Sequence, residues 1–264
     1  MSTHLDKLVA AARESMLQQQ RAFPNARLRE MANGAGPARP FKQALLDARL
    51  HGAPLIAEIK RASPSKGLIA KDLHPARLAQ AYARGGAACL SVLTERQFFL
   101  GSLEDLIAAR LATGLPVLRK DFRVEPYQLL EARAHGADAA LLIAAALAPA
   151  QLQELAALAR ELGLCVLLEV HEEAELQAAA AAKPDLLGIN ARNLKTLELD
   201  SGAFARLAPQ AARIAPLVAE SGLKTPADVK AALDAGASAL LVGEAFSSAA
   251  DPEGAVRALC EAGR

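Results

Sequence analysis

The chain has 264 residues, 52% of them apolar and only 3% aromatic, so its core must be built from aliphatic side chains. Thirty basic residues against 29 acidic ones leave a formal charge of +1, which removes any global attraction to nucleic acid or an anionic membrane surface; an anionic ligand has to be held locally. No stretch approaches about 18 consecutive apolar residues, the opening "MSTHLDKLVAAARESMLQQQ" lacks a signal-peptide core, and Cys89, Cys165 and Cys260 are widely separated and read as reduced thiols, so the expected setting is cytoplasmic.

Two amphipathic helical patterns open the chain, near Thr3 to Gln20 and near Pro40 to Leu50, separated by the Gly-Pro-rich "NGAGPARP". Short apolar runs then alternate with helical patterns. The runs are "PLIAEIK" from Pro54, "CLSVLT" from Cys89, "PVLRKDF" from Pro116, "AALLIAA" from Ala139, "CVLLEV" from Cys165, "LLGIN" from Leu186, "PLVAES" from Pro216 and "ALLVGEA" from Ala239. Segments between them, such as "HPARLAQAYARGG" and "TPADVKAALDAG", open on Pro or an N-capping residue and close on Gly, as helix ends prefer. This alternation is the signature of βα units around a parallel sheet. A faint repeat ("GGAACLSV", "HGADAALLI", "AGASALLVG") is in register with the runs. Eight units predict a closed (β/α)8 barrel of the TIM type: one domain over residues 1–264, of which 1–50 form an N-terminal helical extension packed on the barrel.

In such a barrel the active site lies at the C-terminal ends of the strands, so polar residues there are the functional candidates. Side chains alternate along a strand, which puts Glu58 with Lys60 and Leu118 with Lys120 and Phe122. Glu169 ends the fifth run, Asn190 followed by Arg192 the sixth, and Glu220 with Ser221 the seventh. Any one of these charges could be an ion pair at a strand edge. Two Lys, three Glu, an Arg and an Asn converging on one mouth are hard to explain by stability, because burying unpaired charge is expensive. Gly222 after the seventh strand and Gly243 after the eighth can bring backbone N–H groups to a phosphate, aided by a following helix N-terminus. Neither loop has a nucleotide-binding pattern. The five His residues show no metal-ligand spacing, His171 reads as a helix start, and Ser221 lacks the flanks of a nucleophilic serine.

"IAEIKRASPSKG", "SVLTERQFFLGSLEDL", "VLRKDFRVEPYQ", "LLEVH", "GINARNLKTLELD", "AESGL" and "LVGEAF" together resemble the signatures of the indole-3-glycerol-phosphate synthase family over nearly the whole chain. The departures are Phe98, Arg123, Ala191 and Ser247. The resemblance implies conversion of 1-(2-carboxyphenylamino)-1-deoxyribulose 5-phosphate into indole-3-glycerol phosphate, carbon dioxide and water, in tryptophan biosynthesis, with no cofactor and no metal. Carried over to this chain, it makes Glu58, Lys60, Lys120, Glu169 and Asn190 the catalytic candidates. Lys120 is the general acid at the ketone, and Glu58, Glu169 and Lys60 serve the later proton transfers. Arg192 and Asn190 position the substrate, and Glu220 supports the network. Ser63, Ser221, Gly222, Gly243 and Glu244, the last through its backbone, join Lys60 around the phosphate; Phe99 and Phe122 wall the anthranilate ring. The expected partner is a small phosphorylated substrate, with no nucleic acid and no membrane. The expected state is a monomer, with at most weak association with enzymes of the pathway. Two other readings stay open: a Schiff-base aldolase-like lyase, which a Lys near carboxylates also suits, and a silent phosphate-binding barrel, which would keep the glycines and lose the acids and bases.

Overall fold

The computed structural model describes residues 3–263. Thr3 opens α1 (His4–Ala22) with a capping box: its side chain accepts from the Asp6 amide, and Asp6 accepts from the Thr3 amide. Then come α2 (Asn25–Gly34) and α3 (Phe41–Ala48). The sequence pattern predicts two helices here and the structure has three. In α2 only Leu28 and Ala32 are buried, too thin a stripe to show as periodicity. What holds it is tertiary packing on Tyr127 and Leu130 of α6 (Pro126–Ala134).

The barrel strands are β1 (Leu55–Ile59), β4 (Cys89–Leu93), β5 (Val117–Lys120), β6 (Ala139–Ile143), β7 (Cys165–Val170), β8 (Leu186–Asn190), β9 (Leu217–Glu220) and β10 (Ala239–Val242), while β2 (Ala62–Ser63) and β3 (Gly67–Leu68) form a small hairpin in the loop after β1. Each of the eight apolar runs holds one barrel strand. All are parallel and close in chain order, β10 pairing back onto β1. The remaining helices are α4 (Pro75–Gly85), α5 (Leu103–Ala112), α7 (Pro149–Glu161), α8 (Leu176–Ala182), α9 (Ala203–Ala211), α10 (Pro226–Asp234), the short α11 (Glu244–Ser247) and α12 (Pro252–Glu261).

Strand alternation sorts the side chains into two cores. Leu55, Ala57, Ile59, Leu90, Val92, Val166 and Leu168 point outward into the layer shared with the helices. Ile56, Leu118, Leu141, Leu167, Val218 and Leu241 fill the barrel interior, so the centre is packed rather than a pore. The same inward parity, continued one step up each strand, delivers Glu58, Lys120, Glu169, Asn190 and Glu220 to one end.

The extension reaches both ends of the interior. Leu5 and Leu8 of α1 and Phe41 and Leu45 of α3 belong to the interior cluster. α1 lies at the mouth, where the His4 amide donates to the Lys195 carbonyl in the loop after β8 (3.4 Å). α3 lies at the opposite end, where the Phe41 carbonyl accepts from Cys89 Sγ at the start of β4 (3.4 Å).

Candidate active site

A cavity of about 310 Å³ opens at the C-terminal ends of the strands, and every residue singled out from the sequence lines it: Glu58, Lys60, Ser63, Phe99, Lys120, Phe122, Glu169, Asn190, Arg192, Glu220, Ser221, Gly222, Gly243 and Glu244. Leu8 of α1 adds an apolar wall. The Phe99 and Phe122 rings lie 6.1 Å apart on one side.

Its floor is a row of paired charges. Lys60 Nζ is 2.8 Å from Glu58 Oε1. Lys120 Nζ stands 3.5 Å from Glu169 Oε2 and 3.6 Å from Glu220 Oε2. Burial works against the Lys120 charge, but Glu169, Glu220 and Glu58 outweigh it and hold the ammonium above the ordinary lysine range. Burial likewise opposes ionisation of Glu169, yet Lys120, His171 and an Asn190 Nδ2 hydrogen bond (2.9 Å) to its Oε1 pull it well below the usual carboxylate range. Glu220 goes the other way: burial, then the neighbouring Glu169, push its carboxyl up to about 8 against the pull of Lys120. Neither Glu220 oxygen has a hydrogen-bond partner among the described residues. Two carboxyls with opposite shifts beside one ammonium are the usual arrangement for moving protons at neutral pH.

Two glycines make this row fit. A Cβ on Gly188 would lie 2.1 Å from Glu220 Oε1, and one on Gly243 would lie 2.3 Å from Glu58 Oε1. Any side chain at either position would evict a carboxylate.

At the rim, Ser221 and Gly222 both adopt left-handed backbone (φ 64° and 80°), and Gly243 leads into α11. Glu244 Oε1 holds two lysines there, Lys66 at 3.6 Å and Lys224 at 3.4 Å. Arg192 donates its amide to Asn190 Oδ1 (2.9 Å) and its Nη1 to the Leu197 carbonyl (3.0 Å), which braces the loop above β8.

Outward-facing neighbours anchor the strand ends that carry these charges. Arg119 turns away from the cavity to Glu131 (2.7 Å) and Asp121 (3.2 Å), and its Nε donates to Thr94, which donates in turn to Asp121 (2.6 Å). Arg123, fully buried, donates to the carbonyls of Leu141 (3.1 Å) and Arg119 (2.6 Å); burial pulls its guanidinium down to about 9. Ser247 bridges the end of β1, donating to the Glu58 carbonyl (3.1 Å) and accepting from the Lys60 amide (3.2 Å). Two of the four sequence departures therefore sit in the support of the site.

One residue corrects the sequence reading. His171 does not start a helix; its side chain is buried beside Glu169, with Nε2 3.1 Å from Oε1. Inward parity two residues beyond Glu169 is the signal that marks it. Lys66, Lys224 and Leu8 also line the cavity without a sequence signal, because their placement depends on loops and on α1 folding over the mouth.

Residues 5–259 match the family described as indole-3-glycerol phosphate synthase. A protein called indole-3-glycerol phosphate synthase from Polaromonas sp. (strain JS666 / ATCC BAA-500) is 50% identical over 253 residues, covering 96% of each chain. One of the same description from Azoarcus sp. (strain BH72) is 49% identical, covering 98% of this chain and 99% of its own. Among solved structures, a 3-hexulose-6-phosphate synthase superposes with a TM-score of 0.63 at 19% identity, covering 79% of this chain and 99% of its own, a likeness of fold alone. Family match, near-complete coverage and about half the residues identical agree with the cavity's chemistry: the chain belongs to the indole-3-glycerol phosphate synthase family.

Proposed function

We propose that this cavity closes the indole ring of 1-(2-carboxyphenylamino)-1-deoxyribulose 5-phosphate, a decarboxylating lyase reaction of tryptophan biosynthesis, as the family predicts. The observation that carries the reading is Lys120, an ammonium set between Glu169 and Glu220 on the floor of a cavity whose rim has two phosphate-type loops.

Phosphate is held at the rim by backbone N–H groups of Gly222, Gly243 and Glu244, with Ser63, Ser221 and Lys60. Phe99 and Phe122 wall the aromatic ring, while Arg192 and Asn190 position the chain between ring and phosphate. As the ring carbon bearing the carboxylate attacks the ketone, negative charge grows on the ketone oxygen and Lys120 delivers a proton to it. The bond to the carboxylate then breaks, its electrons restore the aromatic ring, and carbon dioxide leaves. In the last step Lys60, paired with Glu58, protonates the departing hydroxyl, and ionised Glu169 takes a proton from the adjoining methylene. Glu220, whose raised pKa keeps it protonated near neutrality, is 3.6 Å from Lys120 and can return the proton that Lys120 gave.

The ammonium state of Lys120 speaks against the aldolase reading, because a Schiff base needs a neutral amine as nucleophile. A silent barrel has no use for Glu58, Lys60, Lys120, Glu169 and Glu220, five buried or half-buried acids and bases around one cavity. The test is incubation of the purified chain with the carboxyphenylamino substrate, following indole fluorescence and carbon dioxide. Equimolar release of both is expected, and far weaker binding of the dephosphorylated substrate. No indole formation would reject the activity; equal affinity for the dephosphorylated compound would reject the phosphate site.

A further inference from the structure

The polar line of β7 does not stop at Glu169. His171 keeps the inward parity, and its ring is buried between two carboxylates: Nε2 lies 3.1 Å from Glu169 Oε1 and Nδ1 lies 3.7 Å from Glu175 Oε2. Glu175, which ends the single turn Glu173–Glu175 before α8, also accepts the His171 backbone amide at 2.6 Å. One carboxylate thus fixes the main chain of the residue and faces its ring. Neither contact has hydrogen-bond geometry, and the Nδ1 contact is too long for one, so what the ring gains from both carboxylates is electrostatic.

The protonation state follows from an inventory of donors. A neutral imidazole has one N–H and one lone pair, whereas an ionised carboxylate can only accept. Between two carboxylates, a neutral ring would set a lone pair against an oxygen at one end or the other. Only the imidazolium, with an N–H at each nitrogen, suits both neighbours. Burial opposes the charge, but Glu169 and Glu175 outweigh it and push the ring up to about 10.

We propose that His171 is a positioning residue: as an imidazolium anchored by Glu175, it fixes the orientation and the negative charge of Glu169 from the side opposite Lys120. The proposal rests on the reading of Glu169 as the carboxylate that takes a proton from substrate. It explains a division of labour at that carboxylate. Oε1 is occupied by Asn190 and His171, which leaves Oε2, on the Lys120 side, as the oxygen that accepts the proton. The charged and titratable groups facing Glu169 are Lys120 from β5, Glu220 from β9 and His171 from its own strand end, with Glu58 of β1 acting on Lys120 and Glu220; Asn190 from β8 is neutral. Glu175, His171, Glu169 and Lys120 alternate in sign. Removing the imidazolium leaves Lys120, among the described residues, as the one cation beside a carboxylate that also faces Glu220.

The sign of the effect is fixed. Losing a cation at this distance raises the Glu169 pKa by about one unit or more. Glu169 starts well below the usual carboxylate range, so it stays ionised at neutral pH in the variant, and a loss of turnover there reads its orientation and not its ionisation. The experiment compares wild type with His171→Gln, His171→Lys and Glu175→Gln. In His171→Gln kcat at neutral pH should fall about tenfold through lost orientation of Glu169, with KM within about twofold. His171→Lys, which restores a cation, should recover most of kcat. An unchanged kcat in His171→Gln, or equal losses in the Gln and Lys variants, overturns the proposal in favour of a merely structural histidine. Ring NMR of the free wild-type protein gives a readout independent of turnover, the His171 signals being those missing from His171→Gln. Both ring nitrogens should remain protonated at about pH 7.5, and Glu175→Gln should lower the pH at which the ring loses its proton. A neutral ring at that pH overturns the proposal whatever the turnover. A doubly protonated ring in a protein that forms no indole supports the assigned charge and faults the activity reading instead.

Discussion

Gly188 on β8 makes the space that Glu220 on β9 occupies: a Cβ at position 188 would fall 2.1 Å from Glu220 Oε1. The atom in the way is the carboxylate end of a side chain that lines the cavity, so it is the carboxylate that must move aside. Gly188→Ala should therefore cost about 1–3 kcal/mol of stability through overpacking. By displacing the group proposed to return the Lys120 proton, it should also lower kcat by about tenfold or more. Shortening the neighbour in a Gly188→Ala, Glu220→Asp double variant should recover the melting temperature without recovering kcat. Thermal melts and steady-state kinetics on the three proteins check both parts.

Glu220 makes stability depend on pH in a direction opposite to that of an ordinary paired carboxylate. Its pKa is raised from 4.5 to about 8 in the folded chain, so between these values the native state holds a proton that the unfolded state has released. Stability therefore falls as pH rises through that window. His171, raised from 6.5 to about 10, acts in the same direction, its contribution present below 6.5 and lost as pH rises towards 10. Glu220→Gln removes the first contribution and leaves the second. Denaturant melts across this range should show a gain in stability for Glu220→Gln at the alkaline end and little change at the acid end. A constant offset at every pH would mean that Glu220 is ionised throughout.

The N-terminal extension is expected to be part of both the stability and the substrate handling. Deleting the first 45 residues strips Leu5 and Leu8 from the mouth and Phe41 and Leu45 from the far end of the barrel interior, all four nearly or fully buried. Each such side chain contributes about 1.5–3 kcal/mol on burial. The truncated chain should melt at a markedly lower temperature and bind substrate poorly, because Leu8 is a wall of the cavity. Undiminished turnover in the truncated protein would show that the extension is dispensable.

The barrel and the residues of its mouth were legible because period-two alternation is a property of the backbone. Once eight runs are taken as parallel strands, the facing of Glu58, Lys60, Lys120, Glu169 and Glu220 follows from parity alone. What stayed hidden depends on contacts distant in sequence. α2 has two buried side chains and is held by α6, so its own pattern is weak. His171 has the right parity, but it comes after the strand's apolar run, in a stretch whose acidic residues read as a helix start. That Gly188 and Gly243 clear room for carboxylates on adjacent strands could not be read without the register that pairs β8 with β9 and β10 with β1. The pairing of Glu244 with Lys66 and Lys224 joins α11 to two loops and has no local signature.

The account stands most directly on Lys120 as a general acid, and single-turnover kinetics of Lys120→Met test it. Methionine keeps the bulk and removes the proton, while the phosphate loops, Lys60 and the two phenylalanines remain to hold substrate. Indole formation should slow by roughly a hundredfold or more with near-normal substrate binding, and borohydride should trap no substrate on the wild-type protein. Full-rate ring closure by Lys120→Met, or covalent trapping at Lys120 or Lys60, would contradict it.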